Sequence, residues 1–133
     1  GGRLTGYKGK YPGLVEEAYE TMKAGKPLFL IGAFGGCTYA VIEAARGNRP
    51  AGLTKEEQCK YGPYREVYDY YNQHAPEDEE RIDYEKLVDF FREKGIAGLH
   101  NGLSAAENKR LFTTPHIPEI IALVLQGLIA VQS

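Results

Sequence analysis

The chain has 133 residues, 43% hydrophobic, 26% charged and 11% aromatic, and 16 Lys and Arg against 18 Asp and Glu leave a formal net charge of -2. That is the length of one domain, residues 1–133, with the composition of an ordinary soluble globular protein. It excludes a disordered tail, a collagen-like repeat and a cysteine-stapled mini-domain, and the absence of a basic excess argues against nucleic acid as a partner.

No apolar run reaches the roughly 20 residues that a bilayer span needs, so no membrane partner is expected. The longest, residues 117–131, is interrupted by Pro118, Glu119, Gln126 and Gly127. The N-terminus lacks a basic start followed by an apolar core, and the only cysteines are Cys37 and Cys59. Two free thiols in a reducing cytoplasm are therefore expected. The chain opens on Gly1 without a Met, which fits part of a longer protein.

Residues 1–11, GGRLTGYKGKY, hold four glycines, Arg3, Lys8, Lys10, Tyr7 and Tyr11 with no helical or strand period, and read as a loop. Pro12 suits a helix start, and Leu14, Val15, Ala18, Tyr19 and Met22 recur at helical spacing until Gly25. PLFLIG, residues 27–32, is a short apolar run that reads as a buried parallel strand, followed by a helix from Cys37 to Arg46. Helix, strand, loop and helix in that order predict a Rossmann-type α/β layer.

Thr54-Lys55-Glu56-Glu57 is a capping-box pattern ahead of a tyrosine-rich helix that Gly62-Pro63 must break and restart. Residues 76–81 read as an acidic loop. Asp83 caps a helix striped with Leu87, Val88, Phe90 and Phe91 and ended by Gly95. Residues 96–103 read as a loop. Ser104-Ala105-Ala106-Glu107 is a second capping box, opening a short helix to Phe112. Pro118 starts a last helix, apolar nearly all round and so expected to be buried. One strand cannot make a sheet, so the fold is expected to be helix-rich and incomplete at its N-terminal side. Either upstream residues or a second copy supply the neighbouring strands.

Three stretches carry candidate chemistry. In the first, glycines leave backbone N–H groups open, Arg3, Lys8 and Lys10 match phosphate, Glu16 and Glu17 suit ribose hydroxyls, and Tyr7 or Tyr11 offers a stacking face. The plain alternative is a basic arm before an ordinary helix. In the second, Gly32-Ala33-Phe34-Gly35-Gly36 sits where open α/β sheets place ligands, although small residues there also serve close packing. In the third, Asn101 before Gly102 either builds a tight turn or reads a base edge.

No Cys/His cluster has zinc spacing, and Glu77 to Glu80 read as a solvated loop rather than a calcium site, so no metal is expected. Cys37 stands at a helix N-terminus, a position that lowers a thiol pKa, but no histidine is near in sequence. Tyr61, Tyr64, Tyr68, Tyr70 and Tyr71 gather around Arg65 and read as half-buried packing or as base-stacking rings. No catalytic set is assigned.

GGRLTGYKGKYPGLVEEA, KPLFLIGAFGG, HNGLSAAEN and EIIALVLQGL together resemble the SLOG superfamily of Rossmann-like nucleotide-binding domains, from Gly1 to Gly127. Within it they resemble the branch associated with Sir2 and TIR domains, which includes the sensor domain of the Thoeris anti-phage NADase effector. The resemblance implies a non-catalytic sensor of an NAD-derived nucleotide, such as a cyclic ADP-ribose isomer. It implies a homo-oligomer and a fused or associated Sir2- or TIR-type effector. By motif match it carries ligand roles onto Gly1, Gly2, Arg3, Tyr7, Lys8, Gly9, Pro12, Gly13, Glu17, Phe34, Gly35 and Gly36; Lys10, Glu16 and Asn101 complete the candidate set.

The same superfamily contains phosphoribohydrolases with the signature P-G-G-x-G-T-x-x-E. With the acid placed at Glu17, the inner glycine falls on Gly13. Lys10 and Tyr11 replace signature residues around the phosphate turn, and Leu14 replaces the threonine. An N-glycosidase acting through Glu17 is the alternative reading.

Overall fold

The computed structural model describes residues 1–7, 9–75 and 81–133. Lys8 and most of the expected acidic loop, residues 76–80, lie outside the described residues. The helices are α1 (Gly13–Lys23), α2 (Gly36–Ala45), α3 (Lys55–Gln58), α4 (Gly62–His74), α5 (Tyr84–Lys94), α6 (Ala105–Thr113) and α7 (Ile117–Gln132), with 3-10 turns at Ala51–Leu53 and Ile96–Leu99.

Side-chain caps fix the starts of α3, α5 and α6. Thr54 accepts a hydrogen bond from the Glu57 amide, Asp83 from the Lys86 amide, and Ser104 and Glu107 form a reciprocal capping box. Pro12 is the residue just before α1 rather than its first turn. The loop expected at 96–103 contains the second 3-10 turn.

The core is built around α2, which packs on α1 and α5. Its Cys37, Ala40, Val41, Ile42 and Ala44 meet Val15, Ala18 and Met22 of α1 and Leu87, Val88 and Phe91 of α5. Three small side chains on α2 let its neighbours approach closely, so this short helix is buried on most of its surface.

The strand expected at 27–32 is an extended run without a ladder, and no β-strand occurs among the described residues. The α/β expectation therefore meets a helix-rich chain. The physical reason is pairing: a strand exists only against a neighbour. Leu28 is tied at both backbone groups, its amide donating to the Leu99 carbonyl at 2.9 Å and its carbonyl accepting from Asn101 Nδ2 at 2.9 Å.

A second departure concerns α7. Only Ile120 and Gly127 of this helix are buried. Its inner face rests on the Phe29 ring and the Asn101 backbone, so close to both that a Cβ at Gly127 would stand 2.6 Å and 2.4 Å from them. Its outer face, with Ile117, Ile121, Leu125 and Ile129, is exposed.

Candidate functional site

The glycine-rich arm does not wander away from the domain. Its first residues lie across the start of α2, where the Cys37 amide donates to the Gly2 carbonyl at 3.4 Å and the Thr38 amide to the Gly1 carbonyl at 3.2 Å. Those are two of the amides that a helix N-terminus leaves without an internal partner. Gly36 makes this approach possible. It has φ +68, and a Cβ there would stand 2.4 Å from the Gly2 carbonyl oxygen. Gly2, at φ +90, wedges in turn between Leu14 of α1 and Cys37 of α2. The starts of α1 and α2 are thus brought together with Gly1, Gly2 and Arg3 between them.

Cys37 holds the next link. Its Sγ donates to the Arg3 carbonyl at 3.0 Å. The helix-terminus argument predicts a lowered thiol pKa, but burial pushes this thiol up, outweighing the charge and amide dipoles around it. Cys37 is an anchor for the arm and not an activated nucleophile. Burial is also the largest influence raising Cys59. Both cysteines are free.

The rest of the arm is fastened by tyrosines. Tyr7 OH donates to Gln58 Oε1 at 2.9 Å and lies 2.7 Å from Tyr84 OH, while Tyr64 OH donates to the Lys10 carbonyl at 2.5 Å and lies 2.9 Å from Tyr84 OH. Tyr7 and Tyr64 spend their protons elsewhere, so the single Tyr84 proton serves two acceptors. Tyr11 OH accepts from the Asp83 amide at 2.8 Å. Burial raises all four phenols, Tyr11 to about 12.

These contacts place each candidate residue. Gly1, Gly2, Arg3, Glu17, Phe34, Gly35 and Gly36 gather around the two helix starts; Arg3, Glu17 and Phe34 are exposed there. Pro12 is buried and Gly13 exposed at the start of α1, which has no side-chain cap. Glu16 leans over Gly9, with Oε2 3.5 Å from where a Cβ of Gly9 would be. Tyr7 is turned into the tyrosine cluster, its ring 5.2 Å from that of Tyr64, and Lys10 Nζ stands 4.5 Å over the Tyr71 ring of α4. Asn101 is buried, donating to Leu28 and Asn108 and accepting from the Leu103 amide. Tyr64 is buried, whereas Tyr61, Tyr70 and Tyr71 are exposed.

An open groove of about 410 Å³ descends from this place between α1, α2 and residues 28–31, with Gly1, Glu17, Phe34 and Thr38 at its rim. Thr38 was not singled out by sequence reasoning, and Leu14 only as a helix-face residue and as the replacement for a signature threonine. Their signal as lining residues is position alone, in the first turns of α2 and α1. A larger groove of about 650 Å³ runs between the starts of α3 and α5. Two of its cations are engaged: Arg49 pairs with Asp89, outside the groove, at 2.9 Å, and Lys55 lies over the Tyr68 ring of its wall at 5.2 Å. The smaller groove is where the glycine loops and helix starts converge, and that convergence makes it the better candidate. No metal-holding group of His, Cys, Asp and Glu occurs among the described residues, and no described helix is long and apolar enough to cross a membrane.

Residues 1–111 match the family model of SLOG cluster2. The chain belongs to the SLOG cluster2 family. The match takes in the arm, both helix starts, the tyrosine cluster and all but the end of α6, and stops short of α7. Membership in a SLOG family suggests a nucleotide-related role and a Rossmann-like fold, of which the described residues show helices and no sheet. No curated protein and no solved structure matches this SLOG domain.

Proposed function

We propose that this SLOG domain is a regulatory ligand-binding domain that senses an NAD-derived nucleotide of the cyclic ADP-ribose type. It passes the signal to a fused or associated Sir2- or TIR-type effector in bacterial anti-phage defence and works as a homo-oligomer. One observation carries the reading. The glycine-rich arm and the Gly32–Gly36 loop, far apart in sequence, meet at the paired starts of α1 and α2. An uncapped helix start, an exposed Arg3 and the exposed Glu17 suit a molecule with phosphates and ribose hydroxyls.

The Cys37 thiol is spent on the Arg3 carbonyl, and the site needs no catalytic base to act as a sensor. Ligand that bridges arm and helix starts would favour the assembled state by mass action. Isothermal calorimetry with cyclic ADP-ribose isomers, ADP-ribose and NAD tests this. Saturable binding of at least one of them, weakened at least tenfold by Arg3→Glu with helical content retained, is expected. No binding of any by the intact domain would defeat the reading. Release of free base from NAD or AMP, abolished by Glu17→Gln, would put the N-glycosidase in its place.

A further inference from the structure

The outer face of α7 is unlike the rest of the surface. At 100° per residue, Ile117, Ile121, Leu125 and Leu128 fall within an arc of about 80° and run along about 18 Å of helix, with Ile129 beside them. These side chains are 38% to 67% exposed. Val131 of α7 is exposed as well; elsewhere Val67, Tyr70 and Tyr71 share α4, and Leu14, Phe34, Tyr39 and Tyr61 stand on other segments, so no other element carries as many exposed aliphatic side chains. From Ile120 to Ser133 no residue is charged. The one charge of α7, Glu119, is held by Arg110 of α6.

We propose that this face is where a second copy of the chain docks, α7 against α7 across a twofold axis. Two features of the surface select that occupant. The first is charge: a stripe with no ionised group can pair without an unmatched buried charge only with a surface equally free of them, and α7 itself is one. The second is area. The exposed parts of the stripe's side chains come to on the order of 500 Å² per copy, so a self-paired interface that covers all of them buries about 1,000 Å², the lower limit for a specific contact. A twofold axis also lets one patch serve both sides and closes the assembly at two copies through this face. Running antiparallel, the helices oppose their dipoles favourably and bring the Ile117 end of one against the Ile129 end of the other. Self-association through α7 needs no ligand, so it can fail while the nucleotide reading stands.

Sedimentation velocity on the whole chain, without nucleotide, is the test. The wild type is expected as a dimer at about 100 µM, a concentration that populates even a weak, small interface. Leu125→Lys and, separately, Ile129→Lys should each give monomers with unchanged far-ultraviolet circular dichroism, since both side chains are more than half exposed. Val67→Lys, which removes an exposed apolar side chain from α4, should stay dimeric. A monomeric wild type at that concentration overturns the proposal, as would a dimer that survives both α7 substitutions. Either outcome would mean that α7 is not a self-association surface.

Discussion

Gly36→Ala probes the seat of the arm, and Gly35→Ala is its internal control. Both glycines have φ +68, a backbone conformation that L side chains rarely adopt, so each substitution carries strain of about 1–3 kcal/mol. At Gly35 nothing lies within 4 Å of the new atom. At Gly36 it would meet the Gly2 carbonyl oxygen at 2.4 Å and Gly1 atoms at 2.8 Å, all of them backbone. The arm must then lift, and the bonds from the Cys37 and Thr38 amides are lost. At about 1 kcal/mol each, they make Gly36→Ala about 2 kcal/mol worse than Gly35→Ala. Urea titration gives that difference. Hydrogen exchange gives its location, as roughly 30-fold faster exchange at the Cys37 and Thr38 amides in Gly36→Ala alone. Equal stability loss in the two variants, within about 0.5 kcal/mol, would refute the claim that the arm sits on α2.

Three further outcomes follow from the contacts around the arm. Tyr64→Phe removes the donor to the Lys10 carbonyl and should cost about 1–2 kcal/mol by urea titration, with faster tryptic cleavage in the arm. Alkaline pH should release the arm. Burial holds Tyr11 at about 12 when folded against about 10 unfolded, with Tyr7, Tyr64 and Tyr84 raised alongside it. The unfolded chain therefore sheds protons first, and the stability these phenols contribute is full below pH about 10 and falls as pH rises toward about 12. Near-ultraviolet circular dichroism against pH checks this, and a signal flat across that window contradicts it. Asn101→Ala should cost about 2–4 kcal/mol, because it strands the Leu28 carbonyl and Asn108 in the interior; a change below about 0.5 kcal/mol by thermal melting would contradict it.

The helices were legible because their signals are local. Thr54, Asp83 and Ser104 each sit where a side-chain oxygen can reach an amide three residues on, so the sequence spacing is the cap geometry itself. The two glycine stretches were legible only as separate candidates; that they meet at the α2 start rests on backbone contacts between residues about 35 apart. What was not legible depends on neighbours far along the chain. PLFLIG has the composition of a strand, but a ladder needs a second strand, and the described residues offer Leu28 only the Leu99 carbonyl and the Asn101 side chain. The all-apolar α7 reads as buried by composition, and the structure covers one of its faces only. Tyr7 has the look of a stacking ring and is turned away because Tyr64, Tyr84 and Gln58 stand 51 to 77 residues further on. Asn101 was open between turn and ligand roles, and its side-chain bonds to Leu28, Leu103 and Asn108 are those of a turn.

The central claim is that the arm and the starts of α1 and α2 form one place for an anionic adenosine-bearing ligand. Amide chemical shifts recorded during a titration with ADP-ribose test it residue by residue. The account predicts saturable shifts confined to Gly2, Arg3, Gly13, Leu14, Glu17 and residues 34–38. Shifts centred instead on the groove between Arg49, Lys55 and Lys86, or none at millimolar ligand, would contradict it.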